Sequence, residues 1–104
     1  MKAGVTAFGL CRARSGHEAE LGRRLAELVE PTRGELGCLR YDLYQDRKDP
    51  AVWILFEEWE SPAALQGHEA SAHLRAFLAV AADLLDGTPR SYATTWVAGG
   101  RVRP

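Results

Sequence analysis

Residues 52–59, Val-Trp-Ile-Leu-Phe-Glu-Glu-Trp, are the most strongly β-prone stretch of the chain. Side chains alternate between the two faces of a strand. Trp53, Leu55 and Trp59 therefore share one face, and Val52, Ile54 and Phe56 share the other. A strand that is apolar at both parities must be covered on both sides. That requirement constrains the fold more than any other feature.

The neighbouring segments say what is available to cover it. Residues 5–12 read as a first strand with apolar or small residues on both faces. Ser15-Gly16-His17-Glu18 has the spacing of a capping box, and Leu21, Leu25, Leu28 and Val29 then follow the rhythm of one helical face. Pro31 removes a helical amide and is expected to kink or end that helix. Residues 38–46 read as a second strand, with Leu39, Tyr41 and Leu43 on one face and Arg40, Asp42 and Tyr44 on the other. Arg47-Lys48-Asp49-Pro50 is a polar turn joining it to 52–59 as a hairpin. Ser61-Pro62 starts a short helix that ends near His68. Ser71 restarts the helix, with Leu74, Phe77, Leu78, Ala81 and Leu85 as its apolar face and Asp86-Gly87 as its stop. Residues 90–97 complete a fourth strand.

The order is β-α-β-β-α-β, a split βαβ arrangement of ferredoxin-like α+β class: an antiparallel sheet with helices on one face. The helices cover one side only. The other would leave a large apolar sheet face in water, which soluble monomers seldom do. Packing two sheets face to face removes it, so a homodimer through the sheet face is expected.

At 104 residues the chain is one domain's worth, with a core over about 5–97 and a flexible tail over 98–104. Its net charge of −1 leaves no basic face to answer nucleic acid or an anionic membrane. No long apolar run follows Lys2, because Arg12 and Arg14 interrupt the one candidate. The reading is therefore a cytoplasmic protein with no signal peptide and no membrane span. Cys11 and Cys38 are expected to be reduced, and no Cys or His spacing points to a metal. Cys11 ends the first strand and Cys38 begins the second. In this topology those strands lie parallel on either side of the third, so the two thiols belong at opposite ends.

Four stretches carry a resemblance to a known family. They are Pro31-Thr32-Arg33 with Gly37-Cys38-Leu39-Arg40-Tyr41-Asp42-Leu43; Asp49-Pro50; Glu57-Glu58-Trp59-Glu60-Ser61 with Ala64 and His68; and Ser71-Ala72-His73-Leu74. In order and spacing, over roughly residues 5–86, they resemble the antibiotic biosynthesis monooxygenase family, whose domains are dimeric α+β barrels. The resemblance implies oxygenation of phenolic or quinol-type aromatics by dioxygen with no cofactor, neither metal nor flavin. Such chemistry calls for a dry aromatic pocket, a proton acceptor and donors for a developing oxyanion.

The same resemblance sets His68 at the family's pocket histidine, as the catalytic candidate, and His73 at its second histidine. Trp59 matches the family's tryptophan, and Tyr41 matches its motif better than Tyr44 does. All three are candidate pocket residues. Glu57 joins them on a physical ground: a carboxylate on an apolar strand face must be paired or exposed. It is expected either to bond Arg40 across the hairpin or to act on substrate. A related heme-degrading branch needs an axial histidine where this chain has Leu78, and an asparagine in a first strand that here offers Thr6, Ala7 and Phe8. Heme degradation is therefore not expected. Two other functions fit the same residues: a small-molecule-binding or stress-response dimer without turnover, and a non-oxidative enzyme on the same fold.

Overall fold

The computed structural model describes residues 3–103. Four strands and four helices follow in the order β1 Val5–Arg12, α1 Glu18–Ala26, α2 Val29–Arg33, β2 Cys38–Gln45, β3 Val52–Trp59, α3 Pro62–Glu69, α4 Ala72–Ala81 and β4 Arg90–Thr94. They form one sheet in the order β2-β3-β1-β4, with every neighbouring pair antiparallel. This is the ferredoxin-like α+β arrangement. Among the described residues, no helix is long and apolar enough to cross a membrane.

The register sorts the sheet into two faces. Rows such as Ala7–Glu57–Tyr41, Gly9–Leu55–Leu43 and Cys11–Trp53–Gln45 point toward the helices. Leu21 and Leu25 of α1 and Phe77 and Ala81 of α4 close over that face as the core, with Trp59 fully buried beneath them. The approach of α1 is close. A Cβ at Gly22 would stand 2.3 Å from the Trp53 ring, so only glycine lets the helix lie against that indole. The opposite rows hold Phe8, Leu10, Tyr44, Ile54, Phe56 and Tyr92, and no helix covers them. Phe8 and Phe56 rings meet at 5.4 Å there, and Phe8, Leu10, Tyr44 and Tyr92 are 37–50% exposed.

Several local expectations are corrected. The first helix is capped at His17, not Ser15. Glu18 does reach back, but its Oε1 accepts from the Gly16 amide, so the box closes on the wrong residue to be reciprocal. The helix breaks at Glu27–Leu28, one turn before Pro31, which sits inside α2. The ring's clash is with the carbonyl four residues back, at Glu27, so the interruption falls there. In β2 a bulge between Cys38 and Arg40 takes Leu39 out of the alternation and leaves it 47% exposed. α4 stops at Ala81, short of Asp86, because Leu84 and Leu85 turn into the core and Leu85 bridges to Ala13. β4 ends at Thr94, where its hydroxyl donates to the Thr6 carbonyl, and not at Val97.

Both cysteines are free. Cys11 lies opposite Trp53 and Cys38 opposite Trp59, on either side of β3. That is six residues, or about 20 Å, along the strand. Residues 98–103 are exposed and outside any strand or helix.

Candidate functional site

The site begins with three small residues. Ala7, Gly9 and Cys11 occupy successive inward positions of β1, a central strand. Large residues there would fill the space between sheet and helices. Small ones leave a cavity of about 330 Å³, floored by these three with Leu55 and Glu57 of β3. Leu65 and His68 of α3, Leu74 and Phe77 of α4, and Leu25 and Leu28 close the roof. Half-exposed Leu78 and the Pro89–Ser91 segment stand on the solvent side. The walls are apolar apart from Glu57, His68, Glu69, Arg90 and Ser91. Of these, Glu57 and His68 are buried.

Glu57 is held from behind. The indole Nε1–H of Trp59, two residues on along the same face, donates to its Oε1 at 3.0 Å. Its other oxygen, Oε2, lies 3.9 Å from the point where a Cβ on Gly9 would stand, over the cavity floor. Burial raises the Glu57 pKa above the ordinary carboxylate range, against the lowering influence of the Trp59 hydrogen bond and of His68. Arg40 is not its partner. The bulge sets Arg40 opposite Glu58 on the outer face, where it pairs with Asp42.

His68 is 3% exposed, on the last turn of α3. Its ring stacks on Trp59 at 5.0 Å and meets the Tyr41 ring edge-on at 5.4 Å. Nε2 stands 4.0 Å from Glu57 Oε1, and Nδ1 is 2.9 Å from Glu35 Oε2. The same Glu35 oxygen lies 2.5 Å from Nε2 of His73.

Glu35 is the residue of the candidate site that sequence reasoning missed. It sits in the 34–37 turn, 33 residues from His68 and 38 from His73. The turn is brought there by Gly37. Its φ is +80°, and a Cβ on it would stand 2.6 Å from the Ala64 Cβ of α3. Only glycine permits both the dihedral and the approach.

The expected pocket residues therefore divide. His68 and Glu57 line the cavity. Tyr41 and Trp59 do not: they stand behind these two and fix them in place. The Tyr41 hydroxyl is buried without a hydrogen bond of ordinary length, and burial pushes its pKa well above the usual phenol range. His73 faces a separate depression of about 190 Å³, beside Arg24 and Glu27. A larger groove of about 490 Å³ runs past Gly37, Ser61 and Ala64, but neither Glu57 nor His68 reaches it. Within the cavity, a polar aromatic would meet apolar walls, a carboxyl group and an imidazole at one end.

The comparisons agree with this architecture. The model of the antibiotic biosynthesis monooxygenase family matches residues 5–80. In sequence the chain is 33% identical over 58 residues to "Putative monooxygenase YcnE" of Bacillus subtilis, covering 56% of this chain and 61% of that protein. It is 39% identical over 61 residues to Rv0793 of Mycobacterium tuberculosis, covering 59% of each. The chain thus spans less than two thirds of the length of either relative in sequence. In structure the likeness extends further. PA3566 from Pseudomonas aeruginosa superposes with a TM-score of 0.86 at 35% identity, over 94% of this chain and 98% of that one. Rv0793 gives 0.85 at 27% identity over the whole fold, covering 93% and 98%. By the match over 5–80 and the shared fold, the chain belongs to the antibiotic biosynthesis monooxygenase family.

Proposed function

We propose that this protein is a homodimeric, cofactor-independent oxygenase that oxidises an electron-rich aromatic, of quinol or anthrone type, with dioxygen. The observation that carries this reading is the apolar cavity with Glu57 and His68 together at one end. Membership of the family sets the class of chemistry, and the names of YcnE and Rv0793 as monooxygenases point the same way.

The residues divide the work. A carboxylate oxygen of Glu35 accepts from Nδ1–H of His68, which leaves the Nε2 lone pair on the side of Glu57 and the cavity. Nε2 takes the proton of a phenolic hydroxyl, and Glu35 steadies the imidazolium that results. Glu57, fixed by the Trp59 indole, holds a second substrate oxygen. The phenolate then has the electrons the reaction needs. It passes one to dioxygen, and the two radicals recombine. For an anthrone-type methylene, one dioxygen converts CH₂ to C=O and leaves one water. The apolar walls keep bulk water from the radical pair.

The dimer has its own support. Six large apolar or aromatic residues share the outer sheet face, several of them one third to one half exposed. A second copy laid on that face removes the patch from water.

The test is dioxygen uptake by the purified, chelator-treated protein with a panel of anthrones, naphthoquinols and menadiol, autoxidation subtracted. Enzyme-dependent uptake that falls at least about 100-fold in His68→Ala is expected. Saturable binding with no uptake above background in the wild type would make the protein a binder instead of an oxygenase.

A further inference from the structure

The cluster behind the cavity offers a second chemistry. Among the described residues, Glu35, His68 and His73 each present one ligating atom, and these atoms all lie within 4.8 Å of one another. We infer that Glu35 Oε2, His68 Nδ1 and His73 Nε2 form a three-ligand site for a divalent first-row transition metal of the zinc class. This goes beyond the oxygenase reading and does not depend on it, because bound metal is read directly.

The donor set suits that class. Two borderline imidazoles with one hard carboxylate make a set that takes Zn²⁺, Co²⁺ or Fe²⁺ in preference to Mg²⁺ or Ca²⁺. The distances are close to what an ion requires. Bonds of about 2.0–2.1 Å place tetrahedral ligand atoms about 3.3 Å apart. Glu35 Oε2 stands 2.9 Å from one nitrogen and 2.5 Å from the other. Admitting an ion asks the carboxylate to draw back by less than about 1 Å, and the two ring nitrogens, which lie within 4.8 Å of each other, to close by up to about 1.5 Å. It lies in the 34–37 turn, whose backbone is held by hydrogen bonds from Glu35 N to Thr32 O and from Cys38 N to Glu35 O, so the side chain can move while the turn stays.

The surroundings supply two further requirements. A metal on Nδ1 of His68 obliges the ring proton to sit on Nε2, and metal-bound imidazoles commonly point that N–H at a carboxylate. The group facing Nε2 here is Glu57, at 4.0 Å. An entry route is also present. The side chain of His68 is 4% exposed, but those of Glu35 and His73 are 15% and 25% exposed, so an ion reaches the site from the His73 side without crossing the cavity. The three protein ligands leave a fourth position for water.

The consequence for the cavity follows from the ring. With Nδ1 on a metal and Nε2 carrying the proton, His68 has no lone pair left to accept a substrate proton. The metal form is thus one in which the base is occupied.

The experiment titrates chelator-stripped full-length protein with Co²⁺ and Zn²⁺ by absorption spectroscopy and calorimetry. One ion per chain is expected, with visible Co²⁺ bands of a four- or five-coordinate N/O site and a melting temperature that rises with metal concentration. Glu35→Gln keeps the hydrogen bonds but not the charge, and His73→Ala removes an accessible ligand. Each should weaken uptake at least 10-fold while circular dichroism confirms the fold. His17→Ala, a histidine outside the cluster, should change nothing. Absence of stoichiometric uptake, or uptake that both cluster variants retain, or uptake lost with His17, would overturn the site.

Discussion

Cys11 and Tyr41 show what burial does to single groups in this protein. Both lie on the inward face of the sheet, and burial pushes the Cys11 thiol up to about 11 and the Tyr41 phenol higher still. In the unfolded chain the two ionise near about 8.5 and 10. Above about pH 8.5 the unfolded chain loses protons that the native one keeps, so the native state is progressively disfavoured. The stabilisation is complete below the unfolded values and is lost as pH rises through the folded ones. Urea midpoints should therefore fall between about pH 8 and about pH 10.5, and the fall should be shallower in Cys11→Ala. A flat midpoint over that range would contradict the burial of both groups.

The site residues were unevenly legible at this scale. Glu57 could be found because a carboxylate between Leu55 and Trp59 on a buried face demands a partner. Its partner is Trp59 on the same strand face, an indole two residues away. Small residues at 7, 9 and 11 carry the period-two signal of an unfilled core, yet small residues in a strand read equally well as close packing. Glu35 was out of reach. Nothing in Gly34-Glu35-Leu36-Gly37 distinguishes a carboxylate set between two histidines from a solvated turn residue until α3 and α4 are placed against it.

At the scale of elements, alternation and the serine caps of α3 and α4 translated directly, while the capping box at Ser15 and the interruptions did not. Ser61 and Ser71 cap α3 and α4 as their spacing demands, each hydroxyl accepting an amide three residues on. The errors fell where one extra residue or one missing bond shifts the pattern: the bulge at Cys38–Arg40, and the helix break that precedes Pro31. A bulge depends on what the neighbouring strand demands, and periodicity alone does not contain it.

The turn before β2 gives this scale its test. Gly37→Ala must adopt a φ of +80° and push its Cβ against Ala64, so it should destabilise by about 1–3 kcal/mol in urea unfolding. Gly34→Ala is the control. Its φ is −84° and its nearest neighbour would be an ordinary 3.6 Å away, so a change within about 0.5 kcal/mol is expected. Equal effects at the two positions would show that the turn does not press on α3.

For the whole molecule, the topology was readable because it follows from element order and hydrophobic parity. Strand β3 is apolar on both faces, and one layer of helices covers one face. The outer face leads to a solution test. Sedimentation should give a dimer at micromolar concentration, and Ile54→Lys, on the outer row between Leu10 and Tyr44, should give a folded monomer. A wild-type monomer would remove the basis for covering that face with a second copy.

The central claim is that an electron-rich aromatic binds between sheet and helices beside His68. The most direct measurement is an anaerobic titration of ¹⁵N-labelled protein with a naphthoquinol, followed by amide shifts. Saturable changes are predicted at Ala7, Gly9, His68, Phe77 and Leu78, around the cavity. Changes confined to Gly37, Ser61, Ala64 and Gly67, along the larger groove, would place the aromatic elsewhere and contradict it.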